Sequence, residues 1–332
     1  MKRRVVRLVL ASTCSDRKAA VASGRVELRS VPPLPADERA KRWAKQLALA
    51  ATATTQADRL YLGPHWSASK RALDAACEAG LEARMYVVSA GYGLYPVDAL
   101  VTSYAATFAP GHEDTVPPAG LEAEDRRNYL AAWWASVGKH VRLPGVKVRT
   151  FAQMATADPD QRILVVAGGH YLDAISQDLA DARQRLRKTD FLSVVSAGAS
   201  ERAARVLGDS LLPVDARFEH IVSGARTALN ARVAQWLLGE VINPEAVGAS
   251  YFRLKLERKS LELPPTRKFN RMPMTNEEVY KWILSNADRE EATSATSMLR
   301  FLRTSELACE QKRFGTLFNR ALRGHGGNKS AK

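Results

Sequence analysis

The sequence predicts an α/β fold: a parallel or mixed central sheet with helices on both faces, followed by a small helical domain. Apolar runs of strand length recur at Val5–Ala11, Arg59–Leu62, Met85–Ser89, Val146–Phe151, Ile163–Ala167 and Leu192–Ser196, with helical spacing between them, which is the alternation of βαβ units. Those runs are nearly continuous in apolar character, as strands covered on both faces require. Beyond Asn243-Pro244 the texture changes to short helical segments rich in Arg and Lys.

Taken in order, Val5–Ala11 is the first strand, since Arg7 interrupts an apolar stretch already too short for a signal core. Ser67 is placed to cap a helix running through Ala79, with Gly80 at its end. Residues 109–120, with Gly111, Pro117, Pro118 and Gly120, form a loop that is either a lid or a connector. Helices follow over Leu121–Val137, which carries Trp133 and Trp134, and over Tyr171–Leu186 and Gly224–Val241. The first domain is assigned to residues 1–245 and a basic helical domain to 246–323, with a disordered tail over 324–332. In the second domain Thr275 and Glu278 open a helix as a capping box, Ser294–Arg303 forms a second, and Ala308–Arg323 places Phe314, Leu317, Phe318, Ala321 and Leu322 on one stripe.

The charge points to a partner. The chain carries 49 Lys and Arg against 35 Asp and Glu, a net +14, and residues 251–332 hold 17 against 9, so this quarter supplies +8 of the excess. Such clustering favours a polyanion, and three short helices with a basic last one fit a helix-turn-helix or winged-helix module. Arg300, Arg303, Lys312, Arg313, Arg320 and Arg323 are its candidate DNA contacts; a solvated basic face is the plainer alternative. With 46% apolar residues the chain is not disordered, and three widely spaced cysteines suggest neither a disulfide framework nor a Cys-rich zinc site, which fits a reducing cytoplasm. No run approaches the ~20 apolar residues of a membrane span. Neither a phosphate-binding Gly-Lys-Ser/Thr loop nor the dinucleotide glycine spacing occurs, which excludes nicotinamide and ATP chemistry; no cofactor and no metal is expected.

Three strand-to-loop junctions carry the candidate chemistry, because ligands of open α/β sheets bind at strand C-termini. Val9-Leu-Ala-Ser-Thr-Cys-Ser-Asp-Arg-Lys18 offers Ser12, Cys14, Ser15, Asp16 and Lys18 to a base edge or a phosphate, although Ser15 or Asp16 could simply cap a helix. Tyr86-Val-Val-Ser-Ala-Gly-Tyr-Gly-Leu-Tyr-Pro-Val-Asp98 offers Ser89, Gly91, Tyr92 and Gly93, with Tyr92 as a stacking face. A turn beyond Pro96 would bring Asp98 and Tyr104 back to the strand mouth, unless Asp98 is a cap and the tyrosines are packing. Val165-Val-Ala-Gly-Gly-His-Tyr171 offers Gly168, Gly169, His170 and Tyr171, His170 being either an acid for a leaving group or a cap. Ser196, in Val195-Ser-Ala-Gly198, opens a fourth mouth.

The pairing of Cys-Ser-x-x-Lys (Cys14, Ser15, Lys18) with Ser-Ala-x-Tyr-Gly-Leu (Ser89 to Leu94), Pro96, Asp98 and Tyr104 resembles the peroxide-stress YaaA-like proteins, themselves similar to the uracil-DNA-glycosylase-like fold. The likeness covers roughly residues 1–200. It departs from true uracil glycosylases in lacking their Gly-x-Asp-Pro-Tyr and His-Pro-Ser motifs, so their catalytic residues do not carry over. Leu299-Arg-x-Leu-Arg303 and Ala308-Cys-Glu-Gln-x-Arg-Phe314 resemble tails of proteins of phage-defence and DNA-modification loci. The resemblance implies a DNA glycosylase that flips out and excises a hypermodified base of phage DNA, with Asp98 and then Asp16 as candidate carboxylate, His170 assisting the leaving base, and no cofactor. A non-catalytic DNA-binding stress protein and a base-exchanging transglycosylase are the alternatives.

Overall fold

The computed structural model describes residues 5–19, 26–51, 54–265, 270–289 and 294–326, and it divides into a unit ending at Pro264 and a second beginning at Pro265. In the first unit five strands form one mixed sheet: β1 (Arg7–Thr13), β2 (Glu82–Ser89), β3 (Gly93–Pro96), β4 (Arg162–Val166) and β5 (Leu192–Val195), in the order β3-β2-β1-β4-β5. All neighbours are parallel except β2 and β3, which form a hairpin. The chain leaves β1 first for one side of the sheet and later for the other.

Helices cover both faces. Along β1, Val9 and Ala11 enter one apolar core and Leu8 and Leu10 the other, the period-two alternation of a strand buried twice. The first core is closed by α1 (Ala36–Leu49), α3 (Ala123–His140), α4 (Phe151–Ala157), α5 (Gly169–Arg185) and α6 (Glu201–Leu207). The second lies under α2 (Pro64–Glu78), α7 (Leu229–Gly239) and α8 (Ala249–Leu261). Phe252 and Leu256 of α8 are fully buried in that second core, so the first unit includes residues 246–264, which the sequence assigns to the second. Among the described residues no helix is long and apolar enough to cross a membrane.

Two expected strands are not strands. Arg59–Leu62 overlaps a single helical turn, Ala57–Leu60, with Tyr61 bridging to Lys18 outside the sheet. Val146–Phe151 is loop up to Thr150, whose hydroxyl caps α4 by accepting from Gln153 N, while Asp178 accepts from the N–H groups of Phe151 and Ala152. Those orphan donors at a helix start are satisfied without a ladder. Helix α2 begins at Pro64, earlier than Ser67, because proline at the first helical position gives up no bond.

The second unit contains α9 (Asn276–Ser285), α10 (Ala295–Thr304) and α11 (Gln311–Gly326), with a short parallel pair, Met272–Pro273 and Leu307–Ala308. Thr275 and Glu278 complete the capping box of α9. Val279, Ile283, Met298, Leu302, Phe314 and Ala321 form its core. Residues 327–332, in the expected tail, lie outside the described residues.

Candidate functional site

The departure of the chain from β1 to opposite sides makes a topological switch point at the ends of β1 and β4, the place where an open α/β sheet is expected to hold its ligand crevice. Two residues meet there: Cys14, whose N–H extends the ladder to Val88 O at 3.0 Å, and Tyr171, whose hydroxyl is 3.3 Å from Cys14 Sγ. Phe108 packs edge-on against Tyr171 with ring centres 4.9 Å apart. On the rim stands Asp16, its side chain 67% exposed, with Oδ2 4.0 Å from His112 Nε2.

One hydrogen bond sets which nitrogen of His112 can carry the proton. Its Nδ1 accepts the N–H of Asp114 at 3.0 Å, so the neutral imidazole carries its hydrogen on Nε2, toward Asp16. Asp114 is itself fully buried and accepts from Arg29 N at 3.0 Å and Arg29 Nη1 at 3.4 Å. The 109–120 loop therefore brings an imidazole to the mouth from a braced base.

Beside this pair lies a buried tyrosine network. Ser89 Oγ accepts from the N–H groups of Gly91 (3.1 Å) and Tyr92 (3.0 Å) and lies 2.5 Å from Tyr104 Oη. Tyr61 Oη is 2.9 Å from Tyr104 Oη and 2.5 Å from Tyr95 Oη. Desolvation holds the phenols of Tyr61, Tyr95, Tyr104 and Tyr171 well above their usual range, so all four are neutral donors. Lys18 places Nζ 4.5 Å from the centre of the Tyr104 ring and donates to Ser15 O at 3.1 Å. Trp43 and Trp133 fix the turn of the hairpin by donating to Gly91 O (2.8 Å) and Ala90 O (2.7 Å). A Cβ on Gly91 would stand 2.5 Å from the Tyr104 ring, which is why this turn needs glycine.

Several expected placements differ. Tyr92 is 3% exposed, with its hydroxyl on the backbone of Thr102 and its ring edge-on to Tyr104, so it presents no open face for a base. Asp98 is not at the mouth. The hairpin pairs Ser89 with Gly93 and Tyr86 with Pro96, and at about 3.3 Å per residue Asp98 lies more than ~10 Å along the sheet from Ser89. Tyr104 does return to the mouth, through its bond to Ser89. Ser12 is turned to the other sheet face, fully buried, with Oγ 3.1 Å from His65 Nε2 and 2.7 Å from Ser69 Oγ.

His65, unremarked in the sequence, also lies 3.1 Å from Thr13 Oγ1, and desolvation pushes its pKa down to about 4. At the third junction Gly168 is the exposed N-cap of α5 and His170 is exposed on its first turn. Gly169 passes so close to the next junction that a Cβ would meet Gly198 O at 2.1 Å. Ser196 is 3% exposed and its hydroxyl has no hydrogen-bond partner among the described residues.

In the second unit Arg300 and Arg320 are exposed, Arg320 lying over Tyr280 at 5.6 Å. Arg313 is engaged inside the unit, donating to Met274 O at 2.7 Å and toward Cys309 Sγ at 3.3 Å, and Arg303 Nη2 donates to Cys309 O at 3.4 Å. The side chains of Lys312 and Arg323 lie outside the described residues. Comparison with protein-family models, curated proteins and solved structures returns no match to this chain.

Proposed function

We propose that the chain is a DNA glycosylase that hydrolyses the N-glycosidic bond of a flipped-out modified base at the β1/β4 switch point. The observation that carries this reading is the Asp16–His112 pair, a carboxylate and an imidazole with its hydrogen on Nε2, 4.0 Å apart at a switch point. Glycosidic hydrolysis needs a carboxylate to stabilise the oxocarbenium-like sugar or to activate water, and a donor for the departing base. Asp16 serves the first need, in place of Asp98, and His112 the second. The bond is hidden in the stack, so the nucleotide has to be extruded. Lys18 and His170 offer charge and a proton donor to the flanking phosphates.

The basic second unit is read as a helix-turn-helix-like DNA-binding module, with Arg300 and Arg320 as phosphate contacts. The resemblance to phage-defence glycosylases makes a hypermodified phage base the expected substrate and an abasic site the product. The experiment is incubation of the chain with DNAs carrying different modified bases, followed by alkali. Alkali-labile breaks confined to one modified DNA are expected. Binding without breaks on every DNA would favour a non-catalytic binder, a reading to which the closed, mutually bonded phenols of Tyr61, Tyr95 and Tyr104 lend support.

A further inference from the structure

Asp98 lines a cavity of about 790 Å³, set between α1, the segment Pro96–Thr102 and the stretch His140–Val146 that begins at the end of α3. That volume is in the range of small-molecule sites, roughly 300–1,000 Å³. Its rim is cationic. The side chains of Lys41, Lys45 and Arg142 are exposed and make no ion pair or hydrogen bond with any described residue, while Asp98 is the one carboxylate among the lining residues. His140 also lines the cavity but is engaged with Asp37 at 2.9 Å.

Behind the lining lies a further cation. Arg149 is 9% exposed and donates to the carbonyls of Tyr92 and Val141, both lining residues, yet its Nε and Nη1 have no partner and no carboxylate lies within ion-pair distance among the described residues. Burial lowers its pKa to about 10. A buried charge without a counter-charge is costly, and an anion in the cavity would offset that cost. The walls are aliphatic, with Leu47, Leu100 and Leu143, and Leu100 is 56% exposed. A bare inorganic anion would leave those walls wet, and an uncharged apolar molecule would leave the cations unused.

We propose that this cavity binds a small organic anion, a carboxylate or phosphate ester on an apolar body, at a site separate from the β1/β4 switch point. The test titrates the full chain with 8-anilinonaphthalene-1-sulfonate, an apolar aromatic anion that reports binding by fluorescence. One saturable site is expected, weakened about tenfold or more by Lys45→Glu and by Arg142→Glu, and unchanged by Lys18→Ala at the switch point. Both reversals are at exposed positions, and circular dichroism checks that the variants remain folded. Decanoate and deoxyadenosine monophosphate, as competitors, separate a carboxylate from a phosphate-ester ligand. Non-saturable binding, affinity indifferent to charge reversal, or displacement by neither competitor overturns the proposal.

Discussion

His112 presents Nε2 to Asp16 Oδ2 across 4.0 Å, and the Asp114 amide decides which nitrogen holds the hydrogen. The pair comes from loops almost a hundred residues apart in the chain, and only the braced 109–120 loop brings them together. If Asp16 supports a cationic transition state, Asp16→Asn lowers single-turnover excision by ~10²-fold or more with an unchanged melting temperature, because the side chain is exposed. Asp98→Asn, remote from the mouth, leaves the rate as it was. The reverse outcome would return the catalytic role to Asp98.

How much of this was legible in the chain differs from element to element. The strands β1, β2, β4 and β5 follow from their apolar runs, because a strand buried on both faces has no other way to be written. Val146–Phe151 reads the same way and is not a strand: Thr150 and Asp178 capture its end as a helix start, and Asp178 is too distant in sequence to be weighed. Strand β3 was hidden by its Gly93 and Pro96 ends, and with it the reversal that carries Asp98 away. Tyr104 was legible as a returning residue. His65 and His112 were not, since no local spacing relates His65 to Ser12 or His112 to Asp16.

His65 makes stability depend on pH. Its imidazole is lowered to about 4 in the folded chain against 6.5 when exposed, so between these values the unfolded chain binds more protons. Stability therefore rises with pH through this window and falls on acidification from about 6.5 toward 4. Urea midpoints at pH 7.5, 6 and 5 should decline for the native chain and decline less for His65→Gln. Parallel curves would show that His65 is not the group responsible.

Gly169 lets the third junction pass beneath the fourth. Gly169→Ala puts a methyl group 2.1 Å from Gly198 O, a clash with backbone that cannot turn aside. The expected cost is ~1–3 kcal/mol, the scale for overpacking, read as a lower denaturant midpoint at unchanged m-value. Gly168→Ala, whose Cβ meets nothing within 4 Å, is the control and leaves the midpoint nearly in place.

The second unit separates charge that is free to bind from charge that is already engaged. Arg300 and Arg320 are exposed, whereas Arg313 reaches Met274 O and Cys309 Sγ inside its own unit. If the unit holds DNA through phosphates, each contact removed lowers the slope of log K against log salt by about 0.9. Arg320→Ala and Arg300→Ala therefore weaken binding on every sequence and flatten that slope, with melting temperature little changed. Arg313→Ala acts the other way: it removes a donor from a half-buried carbonyl, so it lowers stability by ~0.5–1.5 kcal/mol and leaves the salt slope of the folded fraction intact. A chain ending at Pro264 should lose most of the slope. Binding by that shortened chain with undiminished affinity and slope would place the DNA contacts in the first unit and remove Arg300 and Arg320 from the interface.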